Sequence, residues 1–173
     1  MHAANYLVCS LDELSGVIRR SSPAYVVSIL DPGAVFPDLS ATPVQDHMQL
    51  QMHDVDIPDD GSLKGNPSHD HARSLLRFAD QVSPSDLILF HCVAGRRRSA
   101  AAALIVDLSI RIRAGSPADN QTIQSCLDAL LSVRAAADPN RALLQVADDI
   151  LGLAGSLAKI QLPPRILDLG LDQ

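Results

Sequence analysis

Leu87-Ile88-Leu89-Phe90-His91-Cys92-Val93-Ala94-Gly95-Arg96-Arg97-Arg98-Ser99 is the stretch from which the rest of the chain can be ordered. Four apolar residues run up to His91-Cys92, and an arginine, Arg98, stands six positions after the cysteine. Residues 100–112 are then apolar on nearly every side, the pattern of a buried central helix. A strand, a short loop and a helix N-terminus in that order gather inward-pointing N–H groups and a positive dipole end, a setting that suits a phosphate. Cys9 and Cys126 have Ser15 and Ser132 at the same offset, so Cys92 alone has an arginine partner.

Residue type then assigns the chemistry. A free thiol titrates near ~8.5 and is mostly protonated at neutral pH. Within a ring of N–H dipoles and beside Arg98, the Cys92 thiolate is favoured and becomes a nucleophile able to attack phosphorus. The loop residues Val93, Ala94, Gly95, Arg96, Arg97 and Arg98 form the expected phosphate cradle. Arg98 supplies a planar fork of donors for two phosphate oxygens. Gly95 permits a turn that a Cβ would obstruct. Ser99 is placed to donate to the cysteine sulfur, and His91 to hold the loop through the backbone. The plainer alternatives are a buried, inert Cys92, a structural His91, and a solvated basic cluster at Arg96, Arg97 and Arg98.

The run from His91 to Ser99 resembles the signature of the protein tyrosine phosphatase superfamily, His-Cys-x-x-Gly-x-x-Arg-Ser/Thr. The compact chain is similar to the dual-specificity branch and its bacterial relatives. The resemblance puts the nucleophile on Cys92, the phosphate-binding arginine on Arg98 and the hydroxyl on Ser99. It also calls for a general acid, an Asp on a loop some tens of residues earlier. Alternation up to His53 predicts a strand ending there, and Pro58 and Gly61 mark a loop after it. Asp54 with Pro58 matches the family spacing Asp-x-x-x-Pro and is the expected acid, with Asp56 the alternative; Asp59 and Asp60 read as solvated charges. Further on, Val133-Arg134 and Pro139-Asn140 resemble the element that starts the last helix of dual-specificity enzymes. Asn140 reads equally as a helix cap.

At 173 residues with 47% hydrophobic content, the chain is expected to form one domain. Its core is predicted at about residues 5–155, with residues 156–173 as a C-terminal tail. Short strands are predicted at 6–9, 24–30, 47–52 and 86–90. Helices are predicted at about 10–20, opened by a Ser10/Glu13 capping box, and at 68–80, 99–113, 120–136 and 140–155. Strands alternating with helices, then a helical C-terminal half, indicate an α/β sandwich with a mainly parallel central sheet flanked by helices.

A net charge of −6 and few aromatics argue against nucleic acid as a partner. No stretch approaches the roughly 20 apolar residues of a membrane span. Three scattered cysteines and a thiolate nucleophile point to a reducing, cytoplasmic setting. The expected function is phosphomonoester hydrolysis through a phosphocysteine intermediate, with no metal and no organic cofactor, because N–H dipoles and Arg98 replace a cation. Phosphotyrosine proteins, with phosphoserine and phosphothreonine besides, are the expected substrates. Inositol phosphates or phosphoinositides are the alternative: basic residues inside the loop suit them, whereas Val93 stands where such enzymes often carry another base. A non-catalytic phosphate-binding module is the alternative of a different class.

Overall fold

A computed structural model describes residues 4–162; Pro163, Pro164 and the rest of the expected tail lie outside the described residues. Four six-residue strands form the sheet: β1 (Asn5–Ser10), β2 (Tyr25–Leu30), β3 (Asp46–Gln51) and β4 (Leu87–Cys92). Their order is β1-β4-β2-β3, and every pairing among the described residues is parallel. β4 and β2 are the inner strands and are apolar on both faces, which is the pattern of a sheet covered on two sides. β3 lies at the edge and correspondingly carries Asp46, His47, Gln49 and Gln51.

The two faces are covered unequally. On one, α2 (His69–Gln81), α3 (Arg98–Arg113), α4 (Asn120–Val133) and α5 (Arg141–Leu151) surround the main core. On the other, α1 (Leu14–Ser21) packs Leu14 and Ile18 on Cys9, Val26 and Leu89, with Leu39 and Val44 from the long loop after β2. The described residues thus form an α/β fold with a four-stranded parallel sheet flanked by five helices.

α3 is the axle of the larger face. Four consecutive alanines, Ala100 to Ala103, are fully buried and let neighbouring backbones come close. Asp107 is also fully buried; it pairs with Arg111 (Nη2–Oδ2 3.0 Å) and accepts the Ala4 N–H at 2.8 Å, which ties the start of β1 to this helix. The core runs past the expected boundary at residue 155: Leu157 and Ile160 are buried in it, and Asp148 accepts the Leu157 N–H at 2.6 Å.

Several predicted helix limits are corrected. The Ser10/Glu13 exchange exists (Ser10 N to Glu13 Oε2 2.8 Å, Glu13 N to Ser10 Oγ 3.2 Å), but helix α1 starts after it, at Leu14. α4 stops at Val133 instead of residue 136, because Arg134 turns aside to serve another loop. α5 stops at Leu151 instead of residue 155, with Gly152 in the left-handed conformation as its cap.

Candidate active site

Because all four strands run the same way, their C-terminal ends meet at one edge, and β4 delivers Cys92 there. Residues 93–97 form a loop, and α3 begins at Arg98. Gly95 has φ +63°, and a Cβ there would lie 2.3 Å from the Cys9 carbonyl carbon and 2.4 Å from Ser10 N. Only glycine lets the loop pass this close to the end of β1.

Why the N–H groups face inward can be read from where the carbonyls go. Val93 O accepts from Leu11 N at 3.1 Å, Arg96 O from Asp138 N at 2.9 Å, and Arg97 O from Asn140 N at 3.2 Å. Gly95 O and Ala94 O accept from Arg134 Nε at 3.0 Å and Nη2 at 3.4 Å. Every carbonyl from 93 to 97 is therefore bonded outward, and a peptide unit whose oxygen points out turns the following N–H in. Arg134 is itself held by Glu13 (Nη1–Oε2 3.1 Å), whose carboxyl is kept below its ordinary range by the Ser10 N–H and by Arg134.

Cys92 is 1% exposed. Burial pushes its thiol up, but the Ser99 hydroxyl and the backbone of Ser99, Arg96 and Gly95 outweigh it, so the net shift is downward. The Ser99 Oγ lies 3.2 Å from the sulfur. The other two cysteines make the contrast. Burial, then Glu13, pushes Cys9 up to about 12. Burial and Asp107 push Cys126 up as well. Three buried cysteines share one fold, and the loop lowers the thiol of Cys92 where burial raises the other two.

Arg98 is 3% exposed and is held by two groups that the sequence did not flag for it. Its Nη1 donates to Met52 O at 2.8 Å and lies 3.1 Å from Asp31 Oδ1; its Nη2 donates to Asp31 Oδ2 at 3.3 Å. In the sequence, Asp31-Pro32-Gly33 reads only as a turn after β2. With both terminal nitrogens engaged, Arg98 Nε is the edge that lies toward the acid loop, 3.9 Å from Asp54 Oδ2.

The acid loop meets the cysteine loop through a small ionic network. Arg97 Nε is 3.3 Å from Asp54 Oδ1, and Arg97 Nη2 donates to Asp56 Oδ1 at 2.5 Å. Asp56 Oδ1 also accepts from Arg141 N at 3.1 Å, at the start of α5. Burial raises the Asp56 carboxyl, but Arg97 and the Arg141 N–H outweigh it and hold the group below its ordinary value. Asn140, fully buried, does two things at once. Its Oδ1 accepts from Leu143 N at 2.9 Å, capping α5, and its Nδ2 donates to Asp54 Oδ1 at 3.0 Å and Val55 O at 2.9 Å. Asn140 is thus the cap of α5, and the same side chain also reaches the segment that carries Asp54.

The side chains of Arg96 and Arg97 differ from the expected phosphate cradle. Arg97 turns to Asp54 and Asp56, and Arg96 Nε donates to Ala136 O at 3.2 Å. Their contribution to the loop's interior is backbone. His91 is fully buried, with its Nε2 2.5 Å from Ser28 Oγ; that hydroxyl is 2.6 Å from His47 Nε2. Burial, opposed by the Cys92 backbone and reinforced by His47, pushes His91 down to about 4, so it is neutral at physiological pH. Its place is behind the loop, between β4 and β2.

No protein-family model matches the chain, and no curated protein matches its sequence. Solved structures do match its fold. OH1 from the Orf virus, a tyrosine phosphatase with triple substrate specificity, aligns with TM-score 0.57 at 15% identity over 91% of this chain and 85% of its own. Human DUSP28 aligns with TM-score 0.59 at 16% identity, covering 87% and 96%. PTPMT1 in complex with PI(5)P aligns with TM-score 0.55 at 12% identity, covering 90% and 94%. At these identities the likeness is one of fold, and the fold is that of dual-specificity and tyrosine phosphatases. Among the described residues no helix is long and apolar enough to cross a membrane, and no group of three or more His, Cys, Asp or Glu residues is arranged to hold a metal ion.

Proposed function

We propose that this chain is a cysteine-dependent phosphomonoester hydrolase of the tyrosine and dual-specificity type. The observation that carries the reading is the convergence of a depressed Cys92 thiol, a buried Arg98 and the Asp54 carboxyl at one edge of the sheet. In the first step the Cys92 sulfur forms a bond to phosphorus while the bond to the ester oxygen breaks. Asp54, entering protonated, gives its proton to that oxygen, so the alcohol leaves neutral. In the second step water attacks the phosphocysteine and Asp54 takes back a proton. The sulfur departs as thiolate, assisted by the Ser99 hydroxyl at 3.2 Å. Arg98 and the N–H ring neutralise the equatorial oxygens in both steps, the part a cation plays elsewhere.

Asp54 is favoured over Asp56 by position and partners. Asp56 is gripped by Arg97 and the Arg141 N–H, which hold its carboxyl below the ordinary value, whereas Asp54, placed by Asn140, is the one of the two that faces the Nε edge of Arg98. Phosphotyrosine proteins, with phosphoserine and phosphothreonine besides, are favoured over inositol phosphates because the Arg96 and Arg97 side chains are already engaged with protein groups. A thiolate nucleophile also fits a reducing, cytoplasmic setting.

The test is hydrolysis of p-nitrophenyl phosphate in a chelator, comparing the reduced wild type with Cys92→Ser. Turnover confined to the wild type supports the phosphocysteine route. Equal turnover in both overturns it, and no turnover in either reassigns the loop to phosphate binding without chemistry.

A further inference from the structure

Six large apolar side chains are exposed among the described residues: Leu11, Val35, Ile57, Leu63, Val93 and Val133. Isolated exposed apolar residues are ordinary, but these are not scattered. Leu11 follows β1, Val35 follows β2, Ile57 and Leu63 follow β3, and Val93 follows β4. Val133 ends α4, next to Arg134, which bonds the Gly95 carbonyl. All six therefore stand at the edge of the sheet where Cys92 lies, and none stands at the opposite edge.

Contacts between the loops confirm that they adjoin one another and the cysteine loop. Leu11 N donates to Val93 O at 3.1 Å. Gln51 Nε2 donates to Ala34 O at 3.0 Å, next to Val35, and the same turn holds Arg98 through Asp31. Asp56, next to Ile57, is bound by Arg97. Val35 is 91% exposed and Ile57 61%, so neither packs against the core and neither is explained by stability.

The unpaired charge among them is acidic on balance. Asp12 and Asp60 are exposed on these loops outside any ion pair, Asp31 is exposed but paired with Arg98, and the one exposed lysine or arginine there is Lys64. Arg97 and Arg134 are paired with carboxylates, and Arg96 is bonded to a backbone carbonyl. An apolar ring with acidic fringes suits a polypeptide carrying apolar and basic side chains. It repels an anionic lipid surface and a ligand with several phosphates.

We propose that this ring is the docking surface for the polypeptide on either side of the phosphorylated residue, and that it selects apolar and basic side chains there. The proposal rests on the phosphatase reading of Cys92 and adds the part of the substrate that the cysteine loop does not touch. Val35 and Ile57 are the residues on which the selection should depend most, being the most exposed.

The experiment is a fluorescence-anisotropy titration of Cys92→Ser with two phosphotyrosine peptides of equal length, one flanked by Leu, Val and Lys, the other by Ser and Glu. The first should bind about tenfold more tightly, the scale of one or two partly buried aliphatic contacts plus charge. Adding Val35→Ser and Ile57→Ser should erase most of that preference. The same two substitutions with Cys92 intact should leave p-nitrophenyl phosphate hydrolysis within about twofold, which shows that the fold and the chemistry survive. Equal or absent binding of the two peptides overturns the proposal. So does tighter binding to phosphatidylglycerol vesicles that Val35→Ser and Ile57→Ser abolish, which reassigns the ring to a membrane. Loss of wild-type p-nitrophenyl phosphate turnover with the peptide preference intact would instead overturn the hydrolytic reading and leave the docking surface standing.

Discussion

Replacing Asn140 by Ala removes three hydrogen bonds that serve two segments, the start of α5 and the loop after β3. The cap on Leu143 N is worth about 1 kcal/mol, with a range of roughly 0.5–2. Losing the donor to Val55 O and Asp54 Oδ1 in a buried setting adds about 1 kcal/mol more. A combined loss of about 2–3 kcal/mol corresponds, for a chain of this size, to a fall in Tm of roughly 4–12 °C. Asn140→Ser separates the two roles. Serine keeps a capping oxygen but is too short to reach Asp54, so it should melt close to the wild type while still losing the tether. Both variants should lower kcat about tenfold or more on an alkyl or unactivated aryl phosphate, where protonation of the leaving oxygen matters, and less on p-nitrophenyl phosphate. The assay is a thermal melt beside kcat on the two ester classes. If Asn140→Ala melts within about 1 °C of wild type, the cap argument fails; if Asn140→Ser keeps full kcat on the alkyl ester, Asn140 does not place the acid.

Two further outcomes follow from the site. Iodoacetamide should alkylate Cys92 with a pH midpoint below the ~8.5 of a free thiol, and Ser99→Ala should move that midpoint up. Cys9 and Cys126, whose thiols burial pushes up, should stay unmodified in the native protein at neutral pH; a Cys92 midpoint at or above a free thiol's would refute the account of the loop. Asp54→Asn should lower kcat by roughly 10² on a poor leaving group. Asp56→Asn should affect mainly stability, and in one pH window. The folded-state value of Asp56 is lower than its unfolded value of ~3.9, so its contribution is present above that pH and is lost as pH falls through the folded value. The Tm gap between wild type and Asp56→Asn should therefore close on acidification below about pH 4, and a gap that widens there would refute the pairing. If Asp56→Asn rather than Asp54→Asn abolishes turnover on the poor leaving group, the two carboxylates have been assigned the wrong way round.

Local signals in the sequence were legible where the chemistry is local. β4, the cysteine loop and α3 form one continuous stretch, so spacing and hydropathy show them together. Ser68, at the predicted start of the 68–80 helix, caps α2, with His71 as its reciprocal partner in place of the usual Glu or Gln. What could not be read is what distant segments supply. Arg98's partners, Asp31 and Met52, lie 67 and 46 positions away, and neither has a spacing motif toward it. The turning away of Arg97 toward Asp54 and Asp56 depends on where the acid loop lands, which no window of sequence contains. Helix ends were missed for a similar reason. Gly152 and Gly155 are both plausible stops for α5, and packing of Leu153 and Leu157 into the core decides between them.

The outward bonding of the loop carbonyls sets when reactivity can arise. Arg134 reaches Gly95 across 39 positions and Glu13 across 121, and Leu11 reaches Val93 from the opposite end of the chain. Contacts of such separation are costly to close, because loop-closure entropy is lost before the contact rewards it. Until the ends of β1 and α4 are docked, the carbonyls of Val93, Ala94 and Gly95 lack their outward partners, and the ring of N–H groups around Cys92 is incomplete. A nascent or partly unfolded copy thus carries no activated sulfur to be oxidised or misdirected, and the nucleophile is switched on by completion of the fold itself.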